Sequence, residues 1–338
     1  MSTFNALIQD LKNKISLNTE DARACCEFLV DSSNEDTLKK DCLSALHHKG
    51  ESASELIGFA QCLQSKMTPI KLGEGIDLCG TGGSGKNRFN TSTAAAFVLS
   101  SMGRPVIKHG NKGSAKANGS FDFLDALNVG YVLSEEKQQS LFKRFHLSFL
   151  FARTYHPKVG ELAPIRQSLG HKSIFNLLGP LLNPAQPPYH LLGVSNKVLA
   201  HTLAEALTQL STQKTLIVMG HDGLDELSVT GTNTVLEVTQ SGVSESSLNP
   251  KSVGLFHKDT DLPSFENSAE SSDYFISFLQ NTKPEDPIKD LITLNVGAAR
   301  YVMGETPTVE DGIQKTIAEW DNRQILSFIS DYQKATGA

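Results

Sequence analysis

The chain has 338 residues, enough for two domains or for one large and one small. With 39% hydrophobic and 20% charged residues it has ordinary globular composition, and a formal charge of −6 disfavours non-specific nucleic-acid binding, which needs a basic surface. Five cysteines (Cys25, Cys26, Cys42, Cys62, Cys79), odd in number, without C-x-x-C spacing and mostly on apolar helix faces, fit packed free thiols in a reducing compartment better than disulfides or zinc.

The first residues run straight into an amphipathic helix in which Phe4, Leu7, Ile8, Leu11 and Ile15 keep helical spacing. Asp10 and Lys12 interrupt any apolar stretch, so no signal peptide or membrane span is expected, and the expected location is the cytoplasm. Thr19 with Glu20 and Asp21 reads as the cap and first turn of a second helix to about Val30. A third helix is expected over 36–48 with Gly50 as its stop, and a fourth over 53–67 with Leu56, Ile57, Ala60 and Leu63 on one face. The first 70 residues are therefore all helical. Helices this short need a partner surface, within the chain or in a second copy.

From Gly75 the rhythm changes to strand, glycine loop, helix. Strands are expected at 76–79, 106–107, 148–151, 189–194 and 215–219, with helices at 93–102, 120–127, 159–169, 173–178 and 197–210 between them. This alternation argues a mainly parallel sheet covered by helices, an α/β fold. Residues 232–240 alternate like a small antiparallel piece, 241–272 read as loop, and 274–279, 291–303 and 309–333 read as helices.

The chemistry concentrates after the first strand. Gly80-Thr81-Gly82-Gly83-Ser84-Gly85 places four glycines in six residues, followed by the hydroxyl-rich helix start Asn90-Thr91-Ser92-Thr93. Glycines let a ligand approach the backbone, and the free N–H groups and positive dipole end of the helix favour an anion. About one βα winding later comes what reads as an exposed basic loop, Lys108-His109-Gly110-Asn111. The spacing is neither a P-loop nor a dinucleotide fingerprint, and a glycine-rich turn alone is more often a tight connection. The tandem of an amide-rich and a basic loop suits a small molecule carrying more than one phosphate. Asp225-Glu226, after a strand and a glycine turn, is by itself a solvated turn or a site for a hard cation. No Ser-His-Asp set or nucleophile elbow is present.

These motifs in this order resemble the anthranilate phosphoribosyltransferases, in the group that also holds the pyrimidine nucleoside phosphorylases. The resemblance covers essentially the whole chain and includes Gly119-Ser120-Phe121-Asp122, His156-Pro157, the run from Ile174 to Pro184, and Gly223-Leu224-Asp225-Glu226. It implies a small helical domain, residues 1–70 with the helices near 162–183, joined by hinges to a large α/β domain, 71–161 and 184–338. It implies dimerisation through the helical domain. The implied reaction transfers the phosphoribosyl group of phosphoribosyl pyrophosphate to the amine of anthranilate, with two Mg²⁺ ions as cofactors.

Residue by residue, the resemblance implies that Gly80, Thr81, Gly83 and Ser84 form the pyrophosphate loop and that Asn90, Ser92 and Thr93 donate from the helix start. Lys108 is implied as the catalytic counter-charge to the leaving group and Ser120 as a further pyrophosphate contact. Ser92, Asp225 and Glu226 are implied as Mg²⁺ ligands, and Asn111 and Arg166 as the grip on anthranilate, an arginine fork suiting a carboxylate; His109 and Tyr155-His156 are read either as lining of the acceptor tunnel or as structural residues holding a loop. Three positions depart from the family: Ser84 where an acid is usual, Lys112 where an arginine is usual, and Gly160-Glu161 where a basic residue and a histidine are usual. An acid at 161 would repel a carboxylate substrate if it faced the acceptor tunnel, which motivates an alternative to the favoured anthranilate enzyme, a same-fold transferase acting on another aromatic amine. A nucleoside phosphorylase binds only phosphate and has no need of the acidic pair; a non-catalytic binding paralogue would have lost the glycine loop.

Overall fold

The computed structural model describes residues 2–82, 88–113, 117–210, 212–281 and 286–337, so Gly83 and Ser84 lie outside the described residues. Four helices open the chain: α1 (Ser2–Lys12), α2 (Thr19–Val30), α3 (Asp36–Lys49) and α4 (Ala53–Gln64). The cap of α2 is Asn18, one residue earlier than expected, its side chain accepting from Asp21 N. Ser52 and Glu55 form a capping box on α4. Ile15 lies beyond α1 and is 54% exposed, so the helical face stops at Leu11. Cys25, Cys26, Cys42 and Cys62 are buried free thiols between these helices, with Cys25 and Cys42 Sγ atoms 3.1 Å apart.

The β/α alternation follows: β1 (Ile76–Gly80), α5 (Thr91–Ser101), β2 (Val106–Gly110), α6 (Ser120–Ala126), α7 (Glu135–Phe145) and β3 (Leu147–Phe151). After β3 comes α8 (Ala152–Tyr155), and the expected helices 159–169 and 173–178 are the short pieces α9 (Pro157–Glu161), α10 (Ala163–Gln167) and α11 (Phe175–Leu178), the first two carrying Pro157 and Pro164 at their starts. Then come β4 (Tyr189–Gly193), α12 (Lys197–Leu207), β5 (Lys214–Met219), β6 (Asn233–Thr239) and β7 (Gly242–Leu248). The chain closes with α13 (Ser268–Gln280), α14 (Pro287–Val302), α15 (Val309–Glu319) and α16 (Asn322–Thr336). The last two were expected as one helix; Asp321 ends the run by capping α16 through Arg323 N and Gln324 N.

The seven strands lie in the order β3-β2-β1-β4-β5-β6-β7, parallel up to β5 and antiparallel for β6 and β7. The order in which strands join the sheet reverses between β1, whose crossover leads outward to β2, and β4, which pairs with the other edge of β1. That is a topological switch point, where the carboxyl ends of neighbouring strands open a crevice for a ligand. Gly80 and Gly193 end the two strands opposite each other.

Two cores flank the sheet. One packs α5, α13, α14 and α16 against it through residues such as Phe97, Phe275, Leu294 and Tyr332. The other joins α1–α4 to α10, α11 and α12 and to Leu192, Ile217 and Leu236 of the sheet. Among the described residues no helix is long and apolar enough to cross a membrane.

Candidate active site

The glycine loop leaves β1 at the switch point because only glycine fits there. A Cβ on Gly80 would come within 2.7 Å of an Asp225 carboxylate oxygen, and one on Gly193 would overlap the Asp225 carbonyl. Gly82 takes φ +67°, and its N–H donates to Asp225 Oδ2 at 2.8 Å. Thr81 N donates to Gly193 O. Residues 80–82 and the acidic pair are thus one unit, although they are far apart in the sequence.

Lys108 and His109 are not on an exposed loop. Both lie on β2, which runs on to Gly110, and both are buried; Lys108 is 2% exposed. The two charged-looking positions belong to the sheet's end, and the exposed loop begins at Asn111. Lys108 Nζ donates to Leu78 O and, at 3.1 Å, to Ser92 Oγ. An ammonium has three donors, so these two acceptors leave one N–H for a ligand. Burial lowers the Lys108 pKa while the Asp77 carboxylate counteracts it. Asp77, whose own pKa burial pushes up to about 6, accepts from His109 N and from Asn183 Nδ2, and Asn183 Nδ2 also donates to Ile107 O. Asp77 and Asn183 therefore fix the end of β2 and the chain entering β4.

His109 Nδ1 donates to the Gly179 carbonyl at 3.3 Å, which in the neutral ring leaves Nε2 as an acceptor. Burial, reinforced by neighbouring His156, brings the His109 pKa down to about 3, so the ring is neutral at physiological pH. His156 Nε2 donates to Leu182 O at 2.8 Å, a structural role that holds the segment after α11. Arg166 on α10 lies over the Phe175 ring, 5.4 Å from its centroid, and no acid partners it among the described residues. Asn111 is exposed, its Oδ1 accepting from Lys112 N, and its carbonyl accepts from the Ser120 hydroxyl at 3.4 Å.

Seven of the residues expected in the site leave a buried polar atom without a hydrogen-bond partner among the described residues: Thr81 Oγ1, Asn90 Oδ1, Thr93 Oγ1, His109 Nε2, Arg166 Nε, Asp225 Oδ1, which meets Arg88 as an ion pair, and Glu226 Oε1. Buried polar groups are nearly always paired, so a concentration of orphans marks where a ligand or ion supplies the partners. Asp225 and Glu226 are both buried, and burial pushes the Glu226 pKa up to about 7 against the pull of Arg88. A small cavity of about 20 Å³, room for one water or one ion, is lined by Ser92, Asp225, Glu226 and Asn295 among others. Oxygen donors of this kind, with an unpaired carboxylate oxygen, fit a hard cation.

Sequence reasoning missed Arg88, Asp77 and Asn183. Asp77 had a signal, a charged residue inside an apolar strand; Arg88, a lone basic residue after the glycine loop, had a weak one. Of the three departures, Glu161 is exposed and paired with Lys158 at 3.0 Å, and Lys112 is paired with Asp125 at 2.6 Å. With its charge engaged on the surface of α9, Glu161 gives no ground for a different acceptor.

The sequence pattern of the glycosyl transferase family a/b domain matches residues 72–322. The chain is 36% identical to the anthranilate phosphoribosyltransferase of Rubrobacter xylanophilus over 299 residues, 88% of this chain and 87% of that protein. Among solved structures it superposes on the anthranilate phosphoribosyltransferase of Thermus thermophilus with a TM-score of 0.89, at 30% identity, over 98% of this chain and 99% of that one. The Saccharomyces cerevisiae enzyme in complex with PRPP and Mg matches with a TM-score of 0.87 at 25% identity, over 99% and 98% of the two chains. The same yeast enzyme with 4-fluoroanthranilate gives a TM-score of 0.86 at 25% identity over the same shares.

Proposed function

The chain belongs to the anthranilate phosphoribosyltransferases of the glycosyl transferase family, and we propose on that premise that the crevice between β1 and β4 is where its reaction takes place. The enzyme transfers the phosphoribosyl group of 5-phosphoribosyl 1-pyrophosphate to anthranilate in tryptophan biosynthesis. A C–N bond forms between the amine and the ribose anomeric carbon as the C–O bond to pyrophosphate breaks, and the amine gives up a proton. The substrate amine is the nucleophile, which accounts for a site without a protein nucleophile.

The observation that carries the placement is the set of unpaired buried polar atoms. Thr81 and Thr93 present free hydroxyl donors beside the amide-lined end of β1, matching the many oxygens of a pyrophosphate, while Asn90 is assigned to the same contacts by its place at the helix start. Lys108, fixed by Leu78 O and Ser92 Oγ, keeps one N–H for the leaving group, where negative charge develops. Gly80, Gly83, Ser84 and Ser120 complete the pyrophosphate contacts in this reading. Arg166, half-buried and without an acid partner among the described residues, supplies the counter-charge for the anthranilate carboxylate in this reading, and Asn111 is the second residue assigned to that grip. His109 Nε2, neutral and unpaired, is an acceptor for an amine N–H and orients the nucleophile.

Asp225, Glu226 and the Ser92 hydroxyl would hold Mg²⁺, two ions in this reading. The metal supplies charge neutralisation of the pyrophosphate. Residues 1–70 with the helices near 162–183 form one domain, 71–161 with 184–338 the other, and two copies pair through the helical one in the cytoplasm. Light scattering of the purified protein tests the dimer.

The direct test of the reaction is the decay of anthranilate fluorescence on mixing with PRPP and Mg²⁺, against a control without metal. Metal-dependent decay is expected. Absence of decay with PRPP binding still seen by calorimetry would overturn the acceptor.

A further inference from the structure

Arg88 is the residue that neither the motifs nor the roles above absorb. It sits directly before Phe89, a buried anchor whose ring packs among Phe123, Phe265 and Phe275 at centroid distances of 5.6 to 6.2 Å. That anchor fixes where the arginine emerges. Its guanidinium makes an ion pair with Asp225 Oδ1 and lies 3.7 Å from Glu226 Oε2, with the side chain 26% exposed. Asp225 thus holds both flanks of the glycine loop, Gly82 through its N–H and Arg88 through its guanidinium.

The contact is favourable but incomplete. Among the described residues one cation faces two buried carboxylates, Glu226 Oε1 has no hydrogen-bond partner, and Arg88 Nη1 has no aligned one. A divalent cation on the same carboxylates would compete with Arg88 for them, because two positive charges within a few ångströms of each other at one acid pair repel. A displaced guanidinium beside the glycine loop has an obvious new partner, since Arg pairs with phosphate oxygens through parallel N–H donors.

We propose that Arg88 is an exchangeable counter-ion of the metal site: it neutralises Asp225 and Glu226 while no divalent cation is bound, and is handed to the diphosphate of the donor when metal and donor bind together. The proposal rests on the reading of Asp225 and Glu226 as metal ligands. It makes metal alone a weak ligand and couples metal and donor positively, since each relieves the cost of binding the other. Arg88 is then a substrate-contacting residue in the loaded enzyme and a placeholder before loading.

The test is binding, without turnover. Free Mn²⁺ is followed by electron paramagnetic resonance during titration of wild type, Arg88→Gln and the double variant Asp225→Asn/Glu226→Gln, first alone and then with saturating PRPP and no anthranilate. Arg88→Gln is expected to tighten Mn²⁺ binding without PRPP by about tenfold or more, to weaken PRPP binding by about tenfold, and to lower the coupling between the two. Arg88→Lys, which keeps the charge, should bind Mn²⁺ alone as weakly as wild type. Mn²⁺ affinity that is unchanged or weaker in Arg88→Gln, while the double acid variant loses Mn²⁺, overturns the counter-ion role and leaves the metal site standing. Wild-type Mn²⁺ binding in the double acid variant overturns the metal site itself, and the proposal with it. If the glutamine variant fails to fold by circular dichroism, Arg88→Met, which retains the apolar stem, decides by the same criteria.

Discussion

Two arginine–carboxylate clusters sit at opposite ends of the same sheet, and their charge balance differs. At the amino ends of the strands, Arg104, Arg300 and Lys315 surround Glu305 and Glu319: Arg104 Nε donates to Glu305 at 3.0 Å, Lys315 pairs with Glu305 at 2.8 Å, and Arg300 pairs with both acids. Cations outnumber acids there, and the cluster ties the start of β2 to α14 and α15. At the carboxyl ends, Arg88 is the one cation among the described residues that pairs with Asp225 and Glu226. A cluster whose carboxylates are all engaged by surplus cations offers nothing to a metal ion; one with surplus carboxylate among the described residues is poised for a cation. Arg166, with no acid partner among the described residues, is the converse case, and in the proposed reading it takes an anion.

Substitutions should separate the two ends. The largest effect is expected from Asp225→Asn/Glu226→Gln: kcat/KM should fall roughly 10²–10³-fold, while denaturant unfolding should show a loss of no more than about 1 kcal/mol. Severe unfolding without a specific rate defect would make this cluster structural like the other. Arg166→Ala should raise KM for anthranilate roughly 10–100-fold and leave KM for PRPP unchanged. Equal effects on both substrates would remove Arg166 from the acceptor side. Glu305→Gln should do the opposite of the acid-pair variant, costing about 2 kcal/mol of stability with both KM values unchanged; a kinetic defect there would mean that the two ends communicate.

The difference between the clusters was only partly legible in the sequence. The β/α rhythm from Ile76 to Met219 could be read because its strands are short apolar runs between glycine and capping signals. β7 could not, since Val243 is its sole large apolar residue before Leu248 and its pairing with β6 is what makes it a strand. α7 was missed for a related reason: Leu141, Phe142 and Phe145 are its only large apolar residues in eleven positions. The glycine loop and the acidic pair were legible as motifs. The burial of Lys108 was not, because a charged residue reads as exposed until the acceptors Leu78 O and Ser92 Oγ are known. Arg88 belongs to no motif, and its partners come from the other side of the switch point.

The smallest effect is the most selective probe of the satisfied cluster. Burial works to raise the Glu305 pKa, yet the hydrogen bonds from Arg104 and Lys315 and the charge of Arg300 hold it down from 4.5 to about 2. A carboxyl lowered by folding contributes stability that is present above 4.5 and is lost as pH falls from 4.5 toward 2. At this partly exposed position solvent screening reduces the contribution to about 1 kcal/mol. Many carboxylates titrate in the same window, so the acid transition of wild type alone cannot report it. The gap in unfolding free energy between wild type and Glu305→Gln isolates it: that gap should be constant from pH 7 to pH 5 and narrow by about 1 kcal/mol by pH 3. A gap that does not narrow would mean that Glu305 holds its place by shape, and that the contrast between the two ends of the sheet is one of packing rather than charge.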